Sequence, residues 1–420
     1  MKISYNWLKH YTNFDLNPTE LAEVLTDTGL EVEGIEEYES IKGALEGIFV
    51  GEVIECTPHP DADRLSLTKV DMGSGEILPI VCGAPNVAKG QKVAVATTGT
   101  TLYAEDDSFT IKKTKIRGEV SQGMICAEDE LGIGTDHEGI LILDPSAIPG
   151  QPVSEIIPVE KDTVLEIGLT PNRIDGACHI GTARDIVAFL NLDQQKTSLI
   201  KPDVSSFAAD NQSLNIQVEI ENNEACIRYS GVSISGVEVK ESPEWLKNRL
   251  KAIGLNPINN IVDITNFVLH ESGQPLHAFD ADLITGNKVI IKTLPADTPF
   301  VTLDEEERKL SDQDLMICNS HEGMCIAGVF GGHKSGVTES TKNIFLESAC
   351  FDPVYVRKTA KRHGLNTDSS FRFERGTDPN GTIYALKRAA LMIKELAGGQ
   401  IASEIQDDYP VEIKPYPVFL

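Results

Sequence analysis

At 420 residues and 41% hydrophobic content, the chain carries enough apolar material for about two to four domains, each with its own core. A net charge of −27 excludes a protein that coats nucleic acid non-specifically, since phosphate contacts need clustered Lys and Arg, but it leaves room for local basic patches. No apolar run reaches the roughly 18 residues of a membrane span, the start MKISYNWLKHYTNF lacks the apolar stretch of a secretory signal, and 8 cysteines and 9 histidines are scattered without zinc-type spacing. The expectations are therefore a cytoplasmic protein with reduced thiols, no membrane segment and no bound metal.

The first element is a helix with Asn17 as cap, Pro18 in its first turn, Leu21, Val24 and Leu25 on one face and Gly29 at its end. Residues 1–40 are too short to bury a core alone and must pack on something later. From about Gly43 to Pro149 the texture turns all-β: IFVGEVIEC, SLTKVDM, ILPIVC, QKVAVAT and FTIKKTKI are β-branched runs divided by Pro, Gly and Asp turns. Such a spacing predicts a small barrel of the oligonucleotide-binding type. Within it IKKTKIR gathers Lys112, Lys113, Lys115 and Arg117 with no acid among them. Helical texture returns over 170–190, completing the unit begun by residues 1–40, with the barrel inserted between them.

A polar linker then leads into an α+β region from Ser213 to Gly399. Strands SLNIQVEIE and YSGVSISGVEV precede a helix with Ser242 as cap, Pro243 in its first turn and Gly254 beyond its end. In DITNFVLHESGQPLHAFD, Ile261, Ile264 and Val268 recur at helical spacing, Gly273 and Pro275 stop the helix, and His277 follows on a short turn. Asp263, Thr265, Asn266 and His277 crowd around one helical turn, and GVFGGHKSGVTEST (Gly328 to Thr341) supplies the facing wall of a pocket. A capped helix with a surface turn explains the first stretch equally well. Strands KVIIKT, MCIAGVFGG and NIFLESA follow, then a helix capped by Asp378, with Ile383, Leu386, Ala390 and Ile393 inward and Gly398 at its stop.

Chemistry-bearing patterns are few. GVFGGHKS nearly spells a phosphate-binding loop, but His333 takes a required glycine position and no apolar helix follows. No serine lies in a G-x-S-x-G elbow, so His277 reads as a water-orienting group and not half of a nucleophilic pair. The acids of DEEE (304–307) and EDE (128–130) fall in polar loops and read as solvated. Glu347 differs: it lies in the apolar run NIFLESACF, where a carboxylate needs a partner, either a structural ion pair or a ligand in a pocket. A second basic stretch, VRKTAKRHGLNTDSSFRFER (356–375), carries six Lys/Arg against two acids.

In order, SYNWLKHY, SQGMICAEDELGI, LTPNRIDG, DITNFVLHESGQPLHAFD, GVFGGHKSGV and RKTAKRHGLNTDSSFRFERGTDP resemble the N-terminal part of the bacterial phenylalanine–tRNA ligase (phenylalanyl-tRNA synthetase) β subunit, over nearly the whole chain. The resemblance implies a multidomain α+β protein: residues 1–40 plus 152–198 as a discontinuous N-terminal domain, 41–151 as an inserted oligonucleotide-binding-type barrel, 199–400 as a mixed α/β editing domain of the B3/B4 kind, and 401–420 as a linker onward. It implies hydrolytic editing of tyrosine misattached to phenylalanine tRNA, with His277, Thr265 and Asn266 around the ester and terminal adenosine. Gly331 would line the amino-acid pocket, Glu347 would meet the tyrosine hydroxyl as an ionised acceptor, and Thr367 and Ser369 would bound the side-chain end. Lys112, Lys113, Lys115 and Arg117 would face tRNA. The family commonly has alanine where Ser369 stands and often arginine near Asn256.

The same resemblance implies a piece of a longer subunit without a cofactor of its own. ATP and Mg²⁺ would serve the complete enzyme, an assembly of two α and two β subunits in which the α subunit aminoacylates and the magnesium ligands of β lie beyond Leu420. The rival expectation is a non-catalytic tRNA-binding or subunit-assembly module, and a third is a free-standing trans-editing protein.

Overall fold

The computed structural model of the chain describes residues 1–73, 75–103, 108–192, 197–414 and 417. The chain forms two compact units, 37–162 and the combination of 1–36 with 163–420.

The smaller unit is built on a five-stranded antiparallel sheet in the order Gly123–Ile125, Lys92–Thr97, Ile48–His59, Ala62–Asp71, Ile77–Cys82. Its two end strands nearly meet: the Gln122 amide donates to Pro79 O at 2.8 Å and the Val81 amide to Ser121 Oγ at 3.1 Å. The result is a barrel-like sheet with apolar residues on both faces, Val50 and Ala94 on one and Val53 and Val95 on the other. Four of the strands lie where the β-branched runs put them, but the fifth does not. FTIKKTKI divides between two hairpins, Ser108–Thr110 paired with Thr101–Tyr103 and Thr114–Ile116 paired with Glu119–Ser121. Its lysines are exposed and cannot line a barrel, so the short apolar GMI, three residues beginning at Gly123, closes the sheet instead.

In the larger unit the N-terminal helix Pro18–Asp27 starts on a reciprocal cap: Asn17 Oδ1 accepts from the Thr19 and Glu20 amides while Glu20 returns to the Asn17 amide. Its buried Leu21 and Leu25 share one continuous core with Ile3, Leu165, Ile186, Val232, Ile264, Leu346 and Leu386. The expected boundary near residue 198 is therefore not a break in packing. Residues 401–408 also differ from a linker: Gln400–Ile401 and Gln406–Asp408 both pair with the strand Cys226–Ser235.

Two five-strand sheets follow. One runs Gln217–Ile220, Lys288–Thr293, Leu315–Cys318, Gly323–Ile326, Phe330–Gly331, with a parallel first pair and antiparallel neighbours thereafter. The other runs Leu276–Asp280, Asn343–Phe351, Cys226–Ser235, Gln400–Ile401, with Gln406–Asp408 also on Cys226–Ser235. We call the first three of these the histidine, glutamate and tyrosine strands, after His277, Glu347 and Tyr229. Successive side chains of a strand point to opposite faces. Here one face (Val232, Ile234, Ala278, Ile344, Leu346) enters the core shared with the N-terminal helix, and the other (Tyr229, Phe279, Phe345, Ala349) enters a core with Ile291, Ile317 and Ile326. Burial on both faces is why NIFLESACF is apolar almost throughout.

Helix starts are displaced from the expected caps. The helix Glu244–Ala252 has Pro243 at its N-cap without a side-chain bond, because Ser242 Oγ donates instead to Asp263 Oδ2 at 2.6 Å. The helix Gly381–Leu396 follows Asn380, two residues beyond Asp378, with Leu386, Ala390 and Ile393 buried and Ile383 half-buried. Among the described residues no helix is long and apolar enough to cross a membrane.

Candidate active site

The helix Asn260–Ser272 begins at Asn259, whose side chain accepts from the Ile261 and Val262 amides, and ends at Gly273 in the left-handed conformation (φ 82°). The chain then enters the histidine strand directly. His277 is thus a strand residue and not part of a surface turn: it pairs in register with Glu347, and Glu347 pairs on its other side with Gly231. Directly opposed residues of an antiparallel pair have Cβ atoms about 5 Å apart on one face. The juxtaposition of imidazole and carboxyl, distant in sequence, is therefore a consequence of strand register. Phe279 holds the imidazole edge-on, with ring centroids 4.4 Å apart.

Around this pair lies a cavity of about 470 Å³ lined by Thr265, Asn266, His277, Gly331, Glu347, Thr367 and Ser369, though not by Asp263, which the sequence grouped with them. Val262, Thr265, Asn266 and Leu269 line it together because they share one face of the helix. Asp263 faces away. It is buried, accepts from Ser242 Oγ and from the Ile258 amide, and ties the helix to the preceding loop. Gly331 sits at a close approach to two side chains, those of the exposed Leu303 and of His277. A Cβ there would stand 2.8 Å from Leu303 Cδ1 and 3.1 Å from His277 Cε1.

Two hydroxyls of the site are already committed. Thr265 Oγ1 donates to Val262 O at 2.7 Å, leaving it an acceptor only. Thr367 caps the short helix Asp368–Phe373 by accepting from the Ser370 amide and donates to Val329 O at 3.0 Å, joining that helix to the glycine-rich loop. Ser369 is half-buried on the cavity wall, whereas Asn256 is exposed and off it.

The electrostatics of the pair come from burial. Burial pushes the Glu347 carboxyl up to about 8, with the Tyr229 hydroxyl beside it pulling partly the other way. Burial pushes His277 down to about 4. Burial thus favours the uncharged form of both groups, and an ionised Glu347 would be held there against that push. Among the described residues His277 Nε2 and Glu347 Oε2 are shut from solvent without a hydrogen-bond partner, as is the Tyr229 hydroxyl. Such orphaned buried groups are costly unless a ligand satisfies them. A neutral imidazole can accept a proton, and the acid next to it can exchange hydrogen bonds with a polar group bound in the cavity.

Sequence reasoning missed Leu303 and Tyr229. Leu303 adjoins the acidic DEEE run, which reads as solvated loop, yet its amide donates to Gly331 O at 3.0 Å and its side chain lines the cavity. Tyr229 lies in an apolar strand, where an aromatic ring reads as core. The EDE acids are also not free in solvent: Glu130 is half-buried and accepts from the Ala127 amide, and Asp129 pairs with His137 at 2.7 Å.

Lys112, Lys113, Lys115 and Arg117 are all exposed on the smaller unit, the last three along the Thr114–Ile116 hairpin and its approach. They do not converge on one hollow. Lys112 borders a 660 Å³ depression with Phe109, Met124 and His137, and Lys113 a separate one of 820 Å³ with Phe49 and Met72. The 356–375 stretch is divided: Arg357, Lys358 and Lys361 are exposed, and the other cations are engaged internally. Arg362 and His363 both bind the buried Asp314, and Arg372, itself buried, pairs with Asp368. In GVFGGHKS, Lys334 pairs with Glu322 and Ser335 Oγ donates to Met324 O, an arrangement with no phosphate cradle.

Two family models match: a putative tRNA binding domain over 48–152 and a B3/4 domain over 225–398, the latter containing the His277 cavity. The phenylalanine–tRNA ligase β subunit of Bacteroides thetaiotaomicron is 61% identical over 407 residues, covering 97% of this chain and 50% of that protein. Those of Porphyromonas gingivalis (53% identical, 100% of this chain and 51% of that protein) and Geobacter sulfurreducens (46%, 98% and 50%) agree. A solved N-terminal fragment of the Pyrococcus horikoshii phenylalanyl-tRNA synthetase β subunit aligns at 15% identity over 58% of this chain and 63% of that chain, with a TM-score of 0.31, too loose to argue from. The chain spans about half the length of the relatives it matches and corresponds to their N-terminal portion. By sequence, the chain belongs to the family of phenylalanine–tRNA ligase β subunits.

Proposed function

We propose that the His277 cavity hydrolyses tyrosine misattached to phenylalanine tRNA. The observation that carries this reading is the meeting of His277, Gly331 and Glu347 in one cavity, with His277 Nε2 and Glu347 Oε2 both buried and, among the described residues, unpartnered. A largely apolar synthetic site cannot strongly reject an amino acid that merely adds a hydroxyl, whereas a site built to hydrogen-bond that hydroxyl rejects the analogue lacking it by about 10⁴–10⁵. Glu347 is such a partner: a phenol satisfies its orphaned oxygen, and a phenyl ring leaves it buried and unmet. His277, neutral at physiological pH, accepts a proton from the attacking water, while Thr265 and Asn266 on the facing helix orient the ester and the terminal ribose. The activated aminoacyl ester needs positioning and proton transfer only, so no covalent intermediate is invoked.

In the whole ligase, we assign aminoacylation, with ATP and Mg²⁺, to an α subunit in an assembly of two α and two β chains acting in the cytoplasm. We read the barrel-like unit as the oligonucleotide-binding type, with Lys112, Lys113, Lys115 and Arg117 toward tRNA. A second reading, a non-catalytic tRNA-binding or assembly module, is favoured by the tRNA-binding family model and by those exposed cations. Hydrolysis of tyrosyl-tRNA and phenylalanyl-tRNA by this chain, with and without the α subunit, decides between them. Faster release of tyrosine supports editing; equal background rates for both esters leave only the binding module.

A further inference from the structure

The sheet face that carries His277 and Glu347 holds a third polar group for which the editing reading has no use. Tyr229 and Gly231 lie on the same side of the tyrosine strand, and Gly231 is in register with Glu347. Tyr229 is therefore a diagonal neighbour of Glu347, within reach of a long side chain. No side chain at Gly231 separates them: the Phe345 ring fills that space, and a Cβ on Gly231 would stand 2.2 Å from it. Tyr229 is completely buried and lies outside the cavity lining, and its hydroxyl has no hydrogen-bond partner among the described residues. A buried phenol without a partner is a cost that the apolar isostere, phenylalanine, would avoid.

We propose that Tyr229 is a positioning residue for substrate discrimination: from behind Glu347 its hydroxyl steadies the carboxyl as the carboxyl receives the substrate's phenol. The proposal rests on the editing reading above and deepens it. Its physical basis is that a carboxyl must present one oxygen to the ligand while its other oxygen is satisfied from the protein side. The hydroxyl makes no hydrogen bond of good geometry, yet it lies near enough to the carboxyl to draw Glu347 down against the upward push of burial, and Glu347 in turn raises the Tyr229 hydroxyl further above its ordinary range, after burial itself. The other titratable groups facing Glu347 are Cys226 on the tyrosine strand, Cys325 on the neighbouring sheet and His277 across the register. Burial raises both thiols and keeps the imidazole neutral, so none supplies a counter-charge.

The test is hydrolysis of tyrosyl-tRNA and phenylalanyl-tRNA across pH by the full chain, its Glu347→Gln variant as reference, its Tyr229→Phe variant, and a chain with 3-fluorotyrosine at 229. The last keeps the ring's shape and strengthens the donor, so it carries the test if the phenylalanine variant does not fold. Tyr229→Phe should lower the tyrosyl-over-phenylalanyl ratio about tenfold, as loss of one hydrogen bond to a charged or polarised acid does, while leaving the phenylalanyl rate unchanged. The pH midpoint of the ratio should move up in Tyr229→Phe and down with fluorotyrosine. Equal slowing of both esters would make Tyr229 a packing residue and overturn the proposal. Coincident ratios and midpoints would do the same. If the parent itself shows no preference for tyrosyl ester, the editing reading falls first and takes this inference with it.

Discussion

His277 and Glu347 derive their chemistry from where the register buries them, and that fixes the sign of their pH effects. His277→Ala should slow tyrosyl-tRNA hydrolysis by about 10²–10⁴, the usual worth of a positioned proton acceptor, and leave the circular dichroism spectrum unchanged. Because burial holds the imidazole near 4 in place of its ordinary 6.5, the acid limb of the rate profile should fall near 4; a limb at 6.5 would mean that His277 is solvated or is not the acceptor. Its contribution to stability is present above 6.5 and lost as pH drops through 4. Glu347 has the opposite sign. Its folded value lies above its unfolded one, so the stability linked to it is present below 4.5 and lost as pH rises through 8. Glu347→Gln should therefore gain stability over the parent on going from pH 5 to pH 9, on the order of a few kcal/mol, measured by urea unfolding at the two pH values.

Among the elements, the site depends on a helix, an edge strand and a glycine-rich loop keeping their mutual spacing. Asp263 fixes the helix by accepting from Ser242 and from the Ile258 amide. Asp263→Ala leaves those donors unmet and should cost about 1–3 kcal/mol in a denaturant melt. Gly331→Ala tests the loop: a methyl group inserted between Leu303 and His277 should cost about 1–3 kcal/mol by overpacking and slow both esters by up to about 10²-fold through displacement of the imidazole. A rate equal to the parent's would show that the loop yields and that Gly331 does not set the position of His277. Local signals were sufficient for elements whose ends are local. The Asn17 cap, Pro18 and Gly29 delimit the first helix within two residues. They failed where a distant partner decides the outcome. His277 is a strand residue because of Glu347, seventy positions on, and Ser242 leaves its expected cap because Asp263 claims its hydroxyl.

For the molecule as a whole, the sequence placed a β barrel within a short discontinuous N-terminal domain and set 199–400 apart, whereas the residues flanking the barrel-like unit pack with the rest of the chain as one unit; each pocket residue nominated through the family resemblance lines one cavity. Glu347 was legible by itself, as an acid in an apolar strand; Tyr229 was not, since its hydroxyl becomes informative only when the strand pairing is known. The exposed cations belong to this scale, since they act on a polyanion. Replacing Lys112, Lys113, Lys115 and Arg117 with alanine should weaken tRNA binding and reduce the slope of log affinity against log salt by about 3, with hydrolysis of a small tyrosine ester unaffected. An unchanged slope in fluorescence titrations would remove the hairpin from the tRNA surface.

The unliganded crevice, with an acid and an imidazole both pushed toward their uncharged forms inside an apolar shell, also sets the terms for inhibitor chemistry. Fragment screening against it at pH 7 should favour small uncharged phenols and their isosteres over amines or amidines at the His277–Glu347 end, because neither group of that pair offers a charge to a cation; Asp368, the acid on the cavity wall, is already paired with Arg372. The same compounds should lose potency in alkaline buffer, as the acid ionises and the crevice begins to prefer a different class of occupant.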